Sequence, residues 1–352
     1  GTDDGLLQVS ESDGGSWKQI PVSDLGAPAT AFVNDIKADL YDENTVYVSL
    51  DNHKYGDFKP YFYKSIDKGK SWKKMTNGLP ESTLVWRMVQ DHQNRELMFL
   101  ATEFGIYTTF NGGAQWHQLK GGLPTISFRD LAIQKRENDL VGASFGRSFY
   151  VLDDYSALRE VSEETFKQEG YLFPIRDAWW YIPRPVLGFS GVGSQGASHY
   201  VAPNPDFGAL ITYYLAEDYK SMTEERKASE KAMQGEDIPF PSWEALEEEK
   251  LEQEPAVYVV IKDIKGNVIR RINASAKKGI HRISWDLRYP FTDAIRNTKL
   301  PKDAADQPKG LMAAPGKYTA SLIKLEDGES TELGGFQKFS VKRLKEGSVE
   351  GG

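Results

Sequence analysis

The chain has 352 residues, a formal net charge of −8 and no cysteine, which excludes disulfides, thiolate metal sites and cysteine nucleophiles. The acidic balance, with no Lys/Arg-rich run, argues against a general nucleic-acid binder. Aromatics at 12%, 32 glycines and 17 prolines suit short strands and many turns in two or three domains. The histidines His53, His92, His117, His199 and His281 form no His-x-x-x-His pair, so no metal and no cofactor are expected.

The chain opens on Gly1-Thr2-Asp3-Asp4-Gly5-Leu6, which lacks the basic, apolar, small-residue order of a leader. It reads as the inside of a repeat and implies a start part-way through a larger protein. No run of about 18 apolar residues occurs, so no membrane-spanning helix is expected. Three related eight-residue turns then follow, each ending in Trp. Ser10 to Trp17 keeps Ser10, Gly14, Ser16 and Trp17, with its Asp displaced to Asp13. The second, with Ser65, Asp67, Gly69, Ser71 and Trp72, fits Ser-x-Asp-x-Gly-x-Ser/Thr-Trp throughout. Thr109 to Trp116 keeps Gly113 and Trp116 and carries Asn111 at the Asp position. In such a turn the Asp or Asn oxygen accepts nearby backbone N–H groups and Gly supplies the positive-φ corner. The Trp wedges between neighbouring sheets. These residues are therefore read as structural. The turns resemble the Asp-box of sialidase-like, xyloglucanase-like and sortilin-like β-propellers.

The tryptophans recur after 55 and 44 residues, a period suited to four-stranded blades. Strands are predicted near 33–40, 45–50, 60–65 and 72–75 for the second repeat and near 84–90, 97–102, 105–110 and 116–119 for the third. A fourth repeat without a box has strands near 128–134, 140–143 and 148–152 and a weaker one near 157–161. The fold expectation for residues 1–162 is thus a partial β-propeller of about three and a half blades. Propellers close with four to eight, so the remaining blades are expected from a missing N-terminal part or from another chain.

The box joins the third and fourth strands of a blade, so the loops joining second to third strands open on the other face, near the axis. Asp3 and Asp4, His53, Glu103 and Arg147 lie in four such loops and are the candidate ligand-binding residues. Asp4 and Glu103 are also the weak candidates for a catalytic pair, since glycosidases commonly need two carboxyls. Each has a plainer reading: Asp3 or Asp4 before Gly5 suits a hairpin turn, and Arg147 suits an ion pair with Asp153 or Asp154.

Residues 163–206 read as an aromatic, Pro-punctuated linker packing on the propeller, with Trp179, Trp180 and Tyr181 as interdomain packing. The Gly-x-Gly-x-x-Gly from Gly191 to Gly196 has neither the strand nor the helix of a nucleotide site and is read as a loop. Residues 207–345 read as an Ig-like β-sandwich with a helical insertion at 218–254, whose two charged helices present solvated faces. A polar loop is expected over 290–310.

Several segments together, among them Ala101 to Gly105, Arg136 to Val141, Gly146 to Asp154, Asn204 to Ala209 and Ile283 to Arg288, resemble the C-terminal part of large bacterial proteins described as glycosyl hydrolases with BNR repeats, or sortilin N-terminal-domain-like proteins. Members of that family show Thr-His-Gly-Arg where this chain has Ser144 to Arg147. The resemblance implies an exported bacterial cell-envelope protein, secreted or periplasmic, that binds a glycan, a peptide or a partner protein through the axial face. The alternative is a glycoside hydrolase whose cleft is completed by blades outside this chain.

Overall fold

The computed structural model describes residues 1–183, 202, 204–233, 238, 240–292 and 308–344. The glycine-rich stretch from 191 to 196, most of the expected loop at 290–310 and part of the linker lie outside the described residues. Two units are defined, Gly1–Val161 and Ser162–Gly352.

The first unit is a run of antiparallel meanders. β1 (Leu6–Val9) and β2 (Lys18–Pro21) pair alone; β3 (Phe32–Ala38), β4 (Val46–Asn52), β5 (Asp57–Ser65) and β6 (Lys73–Lys74) form a four-stranded sheet in chain order. β7 (Val85–Gln90), β8 (Met98–Thr102), β9 (Gly105–Thr109) and β10 (His117–Gln118) repeat it, and β11 (Phe128–Gln134), β12 (Asp139–Ser144) and β13 (Phe149–Leu152) form a sheet of three. Apolar side chains on both faces of the middle sheets make three cores, one per junction. The last junction, for example, collects Leu84, Phe99, Ile106, Phe128 and Leu131. Such two-sided burial explains why β8 and β9 are buried at every position and do not alternate.

The first strands of the last three sheets carry a bulge at the same place, between Val33 and Asp35, Val85 and Arg87, and Phe128 and Asp130. The extra residues are Asn34, Trp86 and Arg129. The residues after them alternate in charge: Arg87 reaches Asp35 at 3.1 Å and Asp130 at 3.4 Å, tying three sheets together. Bulges re-aim side chains at sheet ends, and here they do so beside the loops that join second to third strands.

The Trp-ended turns sit at the opposite end of the sheets. Asp67 accepts from the Ser71 hydroxyl at 2.6 Å, from Ser71 N and Lys70 N at 2.9 Å, and from the Ser65 hydroxyl at 2.8 Å. These bonds, the Ser71 hydroxyl first, lower its pKa to about 2. Asn111 accepts from Gln115 N at 3.0 Å in the same way. In the first turn the position belongs to Ser12, whose hydroxyl accepts from Ser16 N at 2.8 Å. Asp13 did not inherit the Asp role; it takes the positive-φ corner at 49°, as Lys68 does at 59°. Gly69 and Gly113 follow at φ +81° and +89°, where a β-carbon would strain the turn.

The expected strand near 157–161 is instead a 3-10 helix, Tyr155–Glu160. Asp154 caps it at Ser156 N, and a buried network then holds it. The Tyr155 hydroxyl donates to Asp91 at 2.6 Å, and the Arg159 guanidinium clasps Asp91 at 2.8–3.1 Å. Burial favours the neutral carboxyl of Asp91, but the bonds from Arg159, Tyr155 and two backbone amides outweigh it and lower its pKa. Two side chains of the helix thus converge on one buried carboxylate, and charge-assisted bonds of this kind are stronger than neutral ones.

The second unit places two sheets around one core. β14 (Gly170–Leu172), β16 (Ala209–Leu215) and β19 (Gly279–Trp285) form one; β15 (Ala178–Trp180), β21 (Glu329–Arg343), β20 (Gly316–Glu326), β17 (Ala256–Asp263) and β18 (Val268–Ala274) form the other. Trp285, Tyr213, Ile211, Val259, Leu322 and Phe339 fill the space between. The segment expected as a linker on the propeller thus gives β14 and β15 to these sheets. Leu172 and Ala178 enter their core, and Trp180 N–H is satisfied by Ala313 O at 2.9 Å. The inserted helices, α2 (Met222–Ala232) and α3 (Trp243–Leu251), bury no residue and are joined by Arg226, which pairs with Glu249 at 2.6 Å. α1 is a single turn, Glu163–Phe166, capped by Ser162.

Candidate binding cavity

Two of the loops that join second to third strands, together with the segment before β7 and the bulge residues of β7 and β11, line an open cavity of about 220 Å3 within the first unit. Glu103 and His53 line it, with Trp86, Arg129, Thr83 and Phe104. Each is positioned by the repeat. Asp51 and Glu103 occupy one place in successive sheets: Asp51 stands opposite Phe32, and Glu103 N donates to Leu84 O at 3.0 Å, as Phe145 N does to Ser127 O at 2.8 Å. Buried Asp51 accepts from His53 through both its backbone N–H and ring Nδ1, and the imidazole stands T-shaped to the Trp86 ring, 5.9 Å between centroids.

Glu103 works inward. Its Oε2 accepts from Trp86 Nε1 at 3.0 Å and Ser127 Oγ at 3.0 Å, and Arg129 lies 3.7 Å away. The Arg129 guanidinium also lies over the Trp86 ring, 3.7 Å from its centroid, and 5.2 Å from that of Phe145. A cation on an aromatic face, closed by a carboxylate, is a rigid unit. The two bulge residues Trp86 and Arg129 are therefore held by each other and by Glu103.

One polar group differs from this satisfied set. Thr83 is 1% exposed and its hydroxyl has no hydrogen-bond partner. A buried orphan hydroxyl costs about 1–3 kcal/mol, and this one lies in the wall of the cavity, on a lining residue but closed off from the opening. Phe58 and Phe104 form an exposed aromatic lip beside it. The volume is below the roughly 300–1,000 Å3 of drug-sized sites, so the cavity suits one ring or one side chain.

Asp3, Asp4 and Arg147 do not line this cavity. Asp4 accepts from the Thr2 hydroxyl in the turn before β1 and is exposed. Arg147 is exposed in a tight turn, between Gly146 and Ser148 at φ 77° and 64°; Phe145, two residues earlier, is the member of that loop that reaches Arg129. Asp4, the other candidate of the carboxyl pair, is not among the lining residues, where Glu103 is the one carboxylate. Sequence reasoning missed Asp51, Thr83, Trp86, Ser127 and Arg129. The signal available was the repeat itself, since aligning residues 32–35, 84–87 and 127–130 puts Asn34, Trp86 and Arg129 at one position. No group of three or more metal-ligating side chains occurs among the described residues. No helix among them is long and apolar enough to cross a membrane.

No protein-family profile matches the chain, and a search of curated proteins finds no match. Among solved structures it is similar to PorZ, a bacterial surface component of the type-IX secretion system of Porphyromonas gingivalis, with 13% identity and a TM-score of 0.34 over 94% of this chain and 41% of that one. It is also similar to the GH74 xyloglucanase of Xanthomonas campestris, with 10% identity and a TM-score of 0.34 over 94% of this chain and 42% of that one. Ycf48, in a structure with a bound D1 peptide, gives 10% identity and a TM-score of 0.31 over 96% of this chain and 75% of that one. The chain spans less than half the length of PorZ and of the xyloglucanase. Likeness at these scores establishes neither a shared site nor a shared activity.

Proposed function

We propose that the first unit is a section of an Asp-box β-propeller that acts as a binding module, and that its cavity takes one ring or side chain of a glycan, peptide or protein ligand. The lining carries this reading: the Arg129 guanidinium and the His53 imidazole meet the rings of Phe58, Trp86 and Phe104 at one opening, the mix of apolar wall and few polar groups that ligand pockets use. The Trp86–Arg129–Glu103 unit is the rigid wall against which the ligand is oriented, and His53 is the half-buried polar contact. The second unit is read as an Ig-like supporting domain, and the protein as one exported to a bacterial envelope.

Binding is favoured over glycoside hydrolysis on a specific ground. The usual hydrolases place two carboxyls across the scissile bond, whereas Glu103 stands alone in the cavity lining and spends Oε2 on neighbours. The test is a calorimetric titration with a xyloglucan oligosaccharide and with a library of short peptides, alongside an assay for new reducing ends. Binding by either probe that weakens about tenfold or more in Arg129→Ala, the loss of one charge-assisted contact, supports the module. Reducing ends that appear with the intact chain and vanish in Glu103→Gln would replace it with the hydrolase.

A further inference from the structure

The second unit has a groove of its own. In β17, β20 and β21 the side chains of Ile261, Ala320, Leu322 and Phe339 enter the core, so the alternate residues stand on the outer face of the sheet. Lys262, Thr319 and Lys338 form one row there, and Ser321 and Phe336 belong to the next. Lys317 pairs with Ser340 on the other side of the lysine row. These residues line an open groove of about 730 Å3, inside the range of roughly 300–1,000 Å3 of small-molecule sites.

Two features set this groove apart from a merely solvated sheet face. The first is an aromatic ring. Phe336 is 56% exposed, at a place where an outward residue is ordinarily polar. The register shift after Ser321, taken up by Gly334 and Gly335 at φ 69° and 74°, sets it opposite Ser321. Lys338 holds its ammonium 5.7 Å from the ring centroid, so a cation and an aromatic surface meet at one point. The second feature is how the charges are spent. The acids of the groove are engaged by their own neighbours: Asp177 accepts from Ser340 N at 2.8 Å and pairs with Lys342, Asp263 accepts from Lys265 N at 2.8 Å and Asn267 N at 2.9 Å, and Glu332 accepts from the Ser321 hydroxyl at 3.0 Å. Lys262, Lys317 and Lys338 make no ion pair among the described residues.

We propose that this face binds an oligosaccharide bearing carboxylates, with one sugar ring stacked on Phe336 and its acid groups met by Lys262, Lys317 and Lys338. A sugar ring offers an apolar C–H face that packs on an aromatic ring, while its rim keeps polar groups that need partners. The three ammoniums supply both the donors and the charge that an acidic sugar requires. An acidic peptide fits less well. β17 and β20 are hydrogen-bonded on both sides, so the floor of the groove offers no main-chain partners, on which peptide recognition by strand addition depends. The inference is independent of the cavity in the first unit and of its ligand.

The test is a calorimetric titration of the full chain with oligomers of galacturonate and of mannuronate, beside a neutral xyloglucan oligosaccharide and polyglutamate. At least one acidic oligosaccharide should bind, and more weakly as salt rises. Phe336→Ala should weaken that binding about fivefold by removing the stacking face, and Lys317→Gln and Lys338→Gln about threefold each, as exposed ion pairs do. All three replace exposed side chains, so the fold survives them. Binding unchanged in all three variants would overturn the inference, as would no binding by either acidic oligosaccharide. Equally tight binding of polyglutamate would assign the face to an acidic polypeptide, and equally tight binding of the neutral sugar would remove the role of the lysines; either result overturns it. So would a loss confined to Arg129→Ala, which would place the sugar in the cavity of the first unit.

Discussion

Trp116 and Trp17 end the same kind of turn, yet one is 1% exposed and the other 59%. The turns themselves fold alike: Thr109 Oγ1 accepts from Gly113 N at 3.0 Å and Ser10 Oγ from Gly14 N at 2.9 Å. What differs is the sheet on the far side. Trp116 lies on Phe62 and donates to Met75 O at 2.9 Å, and Trp17 has no such sheet among the described residues. The local motif fixes a turn; the energy of its tryptophan belongs to the neighbour.

The largest expected effect is therefore Trp116→Ala, which should cost about 3–5 kcal/mol by emptying a dry junction, against a change within about 0.5 kcal/mol for Trp17→Ala in the chain alone. Urea denaturation followed by circular dichroism measures both, and similar losses would break the comparison. A second inner anchor should rank close behind. Asp91→Ala leaves the Arg159 cation partly buried without its partner and should cost about 3–5 kcal/mol, with a double-mutant cycle against Arg159→Ala showing coupling rather than additivity.

The same carboxylate sets a pH dependence. Because the folded pKa of Asp91 is lowered, its contribution is fully present above the unfolded aspartate value of about 3.9 and is lost as pH falls from there through the folded value. Denaturation midpoints measured across that acid window should fall more steeply in the intact chain than in Asp91→Asn. A smaller effect of opposite sign sharpens the cavity reading. Thr83→Val removes the orphan hydroxyl with little change of shape and should stabilise the chain by about 1 kcal/mol while leaving ligand binding in the titration unchanged. A loss of stability would mean that the hydroxyl is already satisfied.

Much of the meander was legible because turn chemistry and apolar runs are local signals. Strands were expected near 84–90, 97–102 and 105–110, and the structure has Val85–Gln90, Met98–Thr102 and Gly105–Thr109. The site was only half legible. His53 and Glu103 stood out as polar residues in loops, whereas Trp86 and Arg129 look like ordinary strand residues until a bulge turns them to the sheet end. Asp4 and Arg147 had the right chemistry in the right kind of loop, but a turn's hydrogen bonds and positive-φ corners direct them elsewhere. The segment at 170–180 misled for a related reason: its aromatic residues signal burial but not the partner, and the partners, in β16 and β21, lie about 40 and about 160 residues onward.

The amino-acid sequence alone determined the turns, the approximate strand positions and the absence of cysteine chemistry, because these depend on neighbours within a few residues. Only the tertiary structure decided which tryptophan is buried, that Ser12 and not Asp13 takes the acceptor role in the first turn, and that His53, Trp86, Glu103 and Arg129 share a cavity. Those outcomes depend on sheet packing, bulge register and the pairing of groups tens of residues apart, where burial and electrostatics are properties of the assembled fold and not of any one segment.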